Sequence, residues 1–385
     1  MTSLVVVAGA LASRPRNGGG AWVRLSYIRG LRRLGFRVLF LEQIADSLVD
    51  RPPMSRSDRD GDNVAFFRDV VARFGLVGDA ALITESGREI AGLRITELTN
   101  MANEAEALLN ISGNLTFAPL MARMRRKVYL DLDPGYTQLW HHAGLLALGG
   151  HAHYFTVGAN IGSGTCPIPT GEIVWRPTRP PVVLDDWPVS VRLEHSTFTT
   201  VGSWRGAYGP VVHAGHVYGS KAHEFRKIAR LPELVPQSFE AALAMDPADD
   251  KDHRLLTGHG WRLVDPVEIT ADPSAFRHYV QASDGECSAA QGMYVGTNSG
   301  WFSDRTTRYL ASGKPVLIQD TGFSQGLPTG EGLISFQTLE GAVAGAHRIA
   351  EDYDAHCRAA RAIAEEHFHS DVVLAALVDA IGIAP

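Results

Sequence analysis

Apolar residues along the 385-residue chain fall into short continuous runs, separated by glycines and by stretches with helical spacing. Leu4–Ala8 is one such run, of the kind expected for a strand buried on both faces. Asn17-Gly18-Gly19-Gly20 comes next. Trp22, Leu25, Ile28, Leu31 and Leu34 then recur every three positions, which predicts a helix that Gly35 stops. Phe36–Leu41 reads as the following strand. Strand, glycine loop, helix, strand is the opening of a doubly wound α/β domain. Leu108–Ile111 and Val128–Leu132 have the composition of further strands.

The pattern breaks at "WRPTRPPVVLDDWP", residues 175–188, where four prolines interrupt any regular element. We read this as the crossing between two domains, 1–188 and 189–385. Beyond it the alternation resumes. A strand is expected at "TFTTVGSW", helices near His223–Arg230 and Ser238–Met245, a strand near Trp261–Val264 and a helix near Pro273–Ala282. An Ala-rich tail predicts one or two C-terminal helices. The expected architecture is two Rossmann-like α/β domains facing a cleft.

Composition narrows the functional classes. Hydrophobic residues are 45% and charged residues 20%, as in a globular protein. The formal net charge of −6 argues against a broad nucleic-acid surface. Cys166, Cys287 and Cys357 are far apart, so neither a zinc site nor a disulfide framework is indicated, and a reducing compartment fits. The run before Ala10-Leu11-Ala12 mimics a secretory leader but lacks a basic segment, and a βα unit explains it better. No run has the length of a membrane span. The expectation is a cytoplasmic protein with small-molecule partners and no nucleic acid; a homo-oligomer is left open.

The densest chemistry lies in "GWFSDRTTRYLASGKPVLIQDTGF", residues 300–323. Ser303 or Asp304 can cap a helix that Gly313 ends, and Pro315 then starts a strand through Gln319. Capping does not explain Arg305 or the aromatic pair Trp301-Phe302, which we expect to be exposed. Free amides of Ser303–Thr306, hydroxyls and an arginine at a helix start are what a diphosphate needs.

From Arg305 to Val316 the sequence resembles the C-terminal nucleotide-sugar signature of GT-B glycosyltransferases, "E-A-x-A-S-G-x-P-V-V". Gly18-Gly19-Gly20 with "L-R-R-L-G-F-R-V" resembles that fold's first helix. The whole chain also resembles bacterial glycosyltransferase-like proteins carrying "GWFSDR…YLASG". The resemblance implies transfer of a sugar from a nucleoside-diphosphate donor to an acceptor hydroxyl, with no required cofactor and no obligatory metal. It implies that Ser303, Asp304, Arg305 and Thr306, with Gly19 and Gly20 across the cleft, lie at the donor. Lys221, near the start of the second domain's first helix, is either a phosphate-binding cation or a surface lysine. Arg308 stands where the family has a ribose-binding glutamate, and Glu286 is a candidate substitute. The alternatives are a same-fold epimerase or phosphorylase, or a catalytically silent scaffold.

Asp131-Leu132-Asp133 forms a DxD triplet, read as a metal decoy. Asp133 before Pro134-Gly135 is either the acceptor's general base or the cap of a βα turn. His141, His142, His151 and His153 cluster without metal-ligand spacing, and His151 or His153 is a second candidate base. His259 is expected near a cleft edge.

Overall fold

A computed structural model describes residues 2–49, 60–190, 197–206 and 208–385, with side chains of 60–62 left aside. The first half builds one eight-stranded sheet. Its strands are β1 (Leu4–Ala8), β2 (Arg37–Ile44), β3 (Ala80–Thr84), β4 (Glu89–Gly92), β5 (Ala107–Ile111), β6 (Arg126–Asp131), β7 (His153–Thr156) and β8 (Trp175–Pro177). Their order is β4-β3-β2-β1-β5-β6-β7-β8, and only the β3–β4 pair is antiparallel. β1, β3 and β5 are buried at every position, because helices cover both faces.

The second half repeats the plan. β9 (Thr197–Ser203) leads to a small antiparallel hairpin, β10 (Val211–His213) with β11 (His216–Tyr218). β12 (Ser238–Ala244), β13 (Arg262–Val264), β14 (Gly285–Ser288), β15 (Val316–Gln319) and β16 (Leu333–Phe336) complete an all-parallel sheet ordered β13-β12-β9-β14-β15-β16. In each sheet the order reverses beside the first strand, between β1 and β5 and between β9 and β14. Crevices at the carboxyl ends of strands, at such reversals, are where ligands settle in open α/β sheets.

One element differs from expectation. Ser238–Met245 is not a helix: β12 runs through it, between β9 and β13. Its three alanines suggest a helix, but Phe239, Ala241 and Leu243 alternate against the second core, and only small residues leave room for helices on both sides.

The C-terminal tail forms helices Leu339–Glu351, Tyr353–Ile363 and Ser370–Ala380, and the last of these returns to the first half. It packs on the Gly18–Arg33 helix at Gly30, where a Cβ would come within 2.5 Å of Leu374 Cδ1. Arg33 clamps the same junction through Asp371 at 3.0 Å and through Asp185 of the crossing. The proline-rich crossing bonds to the tail by Val182 N–H donating to Phe368 O at 2.8 Å and Ser370 N–H donating to Val182 O at 2.9 Å. Trp22, Trp187 and Phe276 join helix, crossing and second half in one apolar cluster. No described helix is long and apolar enough to cross a membrane.

Candidate active site

The two sets of strand ends meet across a trough of three adjoining cavities. A 520 Å³ cavity lies beside Ser203, Ala244 and Thr270, at the ends of β9 and β12. A 260 Å³ cavity joins Gly19 and Gly20 to Gly202, Lys221 and Arg305. A 600 Å³ cavity extends into the first half, past Arg14, Arg24 and Asp133. Asn17 lines all three, and Trp301 and Asp304 line the second and third.

On the first-half wall the three glycines are the opening turn of the helix rather than a loop before it. Asn17 caps it, its Oδ1 accepting from Gly20 N–H at 2.7 Å. Gly18 touches the opposite half directly: its N–H donates to Thr270 O at 2.7 Å, and a Cβ would lie 2.1 Å from Asp272 O. Trp22 Nε1 donates to Pro273 O, also at 2.7 Å. Gly18 therefore serves the junction, while Gly19 and Gly20 face the trough.

The DxD triplet splits into two unlike carboxylates. Asp131 is fully buried and accepts from Asp133 N–H, Thr137, Gln138 and Thr156, at 2.6 to 2.9 Å. All its lone pairs are committed to holding the β6 turn. Asp133 opens onto the 600 Å³ cavity and accepts from Tyr294 at 3.2 Å and Tyr208 at 3.5 Å, both from the second half. Burial, with Asp131 behind it, pushes the Asp133 carboxyl up to about 6. Among the described residues, no group of three or more His, Cys, Asp or Glu is placed to hold a metal.

On the second-half wall, Lys221 begins the Lys221–Lys227 helix, its N–H donating to Gln291 Oε1 at 2.7 Å. It is not a surface lysine: 8% is exposed, and burial together with neighbouring Arg305 lowers its ammonium to about 7. Arg305 is clamped from three sides. Its Nε donates to Glu286 at 2.7 Å, Nη1 to Val201 O at 2.9 Å and Nη2 to Ser288 at 2.7 Å. Ser303 caps the Asp304–Ala311 helix by accepting from Arg305 N–H at 3.3 Å. Thr306 is sealed beneath, its hydroxyl without a protein partner.

Several expectations need correction here. Glu286 cannot grip a ribose: it is fully buried on β14 and serves as the counter-ion of Arg305. Arg308 is buried as well; it donates to Asp304 at 2.8 Å and lies over the rings of Phe276 and Trp187, at 5.6 and 5.9 Å. Phe302 is not exposed but stacks on Phe368, while Trp301 stacks on Tyr294 at the trough. His153 starts β7, opposite Val128, at the amino end of the strand and away from the trough. His151 is bonded to Asn110 and Leu148, and His259 pairs with Glu233. Arg14, Arg24, Tyr208 and Tyr294 were not singled out in the sequence. "SRPRNGGG", with two arginines before the glycines, is the one signal that pointed there.

No family model and no curated protein sequence matches the chain. Solved structures do match, over nearly the whole length. HepE of Anabaena, solved with UDP and glucose, superposes with a TM-score of 0.61 at 13% identity, covering 98% of this chain and 99% of its own. BGT of T4 phage, solved with UDP and Mn2+, gives 0.52 at 9% identity over the full length of both chains. A putative UDP-N-acetylglucosamine 2-epimerase from Listeria monocytogenes gives 0.51 at 10% identity, over 99% and 96%. The fold is thus the GT-B arrangement of two Rossmann-like domains about a cleft.

Proposed function

We propose that the protein is a metal-independent GT-B glycosyltransferase. It takes a nucleoside-diphosphate sugar on the second-half wall and passes the sugar to an acceptor hydroxyl held by the first half. The observation that carries this is the pairing of opposite chemistries across one trough. Lys221 and the clamped Arg305 face Gly19 and Gly20 at one point, and Asp133 opens onto the adjoining cavity. HepE was also solved with UDP-glucose, so UDP-glucose is the donor to try first.

The roles follow from charge. The leaving diphosphate gains negative charge as the glycosidic bond breaks. Lys221, Arg305 and the Gly19-Gly20 end of the helix stabilise that charge more in the transition state than in the ground state. Glu286 neutralises only one of the two cations, so a net positive charge stays for the phosphates. The 520 Å³ cavity beyond Gly202 has room for the base and ribose. Asp304 repels phosphate but accepts well from sugar hydroxyls, and it sits where the two inner cavities join. Asp133 accepts the acceptor's proton, with its carboxyl near 6 suited to a base at neutral pH.

The test is consumption of radiolabelled UDP-glucose with a fractionated extract as acceptor source, in EDTA. Transfer of label to a larger product supports the reading. Conversion of the donor to an epimer would favour the epimerase. Binding of UDP without any turnover across nucleotide sugars would favour a silent scaffold.

A further inference from the structure

The 600 Å³ cavity holds two arginines that base catalysis does not need. Arg14 and Arg24 both line it. Arg24 gives only Nη1 to the protein, donating to Gly20 O at 3.0 Å, and its Nε is sealed from water with no partner. Gly9 makes room for it: a Cβ there would crowd Arg24 Cγ at 3.1 Å. The carboxylates whose charge reaches Arg24 are Glu42, Asp304 and Asp133, and none of them is hydrogen-bonded to its guanidinium. Glu42 accepts from Ala12 and Ser13 N–H at 2.5 and 2.8 Å, fixing the loop that carries Arg14. Asp304 pairs with Arg308, and Asp133 is bonded by the tyrosines. Arg24, with its Nε unpartnered, and the exposed guanidinium of Arg14 on the same cavity wall offer donors that one anion can take up together.

The geometry points to an acidic acceptor: a sugar or glycan bearing a carboxylate or phosphate, held by Arg14 and Arg24 while its hydroxyl meets Asp133. The cavity has the size of a small-molecule site, enough for one sugar residue and its anionic group. This deepens the transferase reading and rests on it, because it assigns the second substrate of the same trough.

Calorimetry with UDP at saturation isolates the acceptor side. Methyl glucuronoside and glucose 6-phosphate supply the two anions, and methyl glucoside is the neutral control. We expect at least one anionic sugar to bind tenfold or more tightly than the glucoside. Arg14→Gln, a change at an exposed position, should abolish that advantage and leave UDP affinity unchanged. Whichever anion is preferred identifies the carboxylate or the phosphate as the feature read. Equal binding of all three sugars, or an anionic advantage that survives Arg14→Gln, overturns the assignment. If UDP does not bind, the donor reading fails separately, and the same titrations without UDP still decide this one.

Discussion

The two walls of the trough are built on opposite plans. On the second-half wall the charged side chains are locked to one another: Arg305 to Glu286, Val201 and Ser288, and Arg308 to Asp304 beneath two aromatic rings. Lys221 is the exception, a buried ammonium with no hydrogen bond from its side chain to any described residue. On the first-half wall the reverse holds. Asp131 and Glu42 are spent on shaping turns, while Arg14, Arg24 and Asp133 keep capacity for something outside the protein. The comparison teaches where binding specificity resides. A locked wall presents one fixed charge pattern, as a constant nucleotide requires; a wall with spare capacity suits a distinguishing substrate.

The largest effect should come from the catalytic side. Asp133→Asn removes the proton acceptor and keeps its shape, so transfer should fall by about 10²- to 10⁴-fold with UDP affinity intact. Retained turnover would remove Asp133 from the chemistry. The locked wall breaks differently. Glu286→Ala leaves Arg305 buried without its counter-ion, which should cost about 3–5 kcal/mol of stability, read as a lower urea midpoint. An unchanged urea midpoint would show that Arg305 does not depend on Glu286 as its counter-ion.

A smaller effect follows from pH. Asp133 must lose its proton to act, so kcat/KM should rise with pH through about 6. Lys221 must keep its proton to attract phosphate, so kcat/KM should fall as pH rises past about 7. The profile is then a narrow bell, and Lys221→Met should flatten its alkaline limb while leaving the acid limb in place. A profile flat from pH 5 to 9 would contradict both assignments.

Much of this was legible in the sequence where local rules suffice. The first βα unit was readable because a buried strand and a three-spaced helix are distinct patterns, and the Pro273–Ala282 helix because Asp272 and Pro273 mark its start. Ser238–Ala244 was not, since alanines suit a helix and a strand buried on both faces alike. Side-chain fates were least legible. Glu286 and Arg305 stand 19 positions apart and meet only because β14 and the capped helix are neighbours in the second sheet. Tyr294 reaches Asp133 across 161 positions, through the closing of two domains. Phe302 looked like an exposed platform because nothing local reveals that Phe368 returns from the C-terminal tail to cover it.

The central claim is that Lys221 and its clamped neighbour hold a nucleoside diphosphate. It is tested most directly by titrating the protein with UDP at pH 6.5, beside Lys221→Met. Saturable binding by the native chain, weakened about tenfold or more by the substitution as expected for loss of one charge-assisted phosphate contact, is the predicted result. No binding at millimolar UDP, or equal affinity in both proteins, would contradict it.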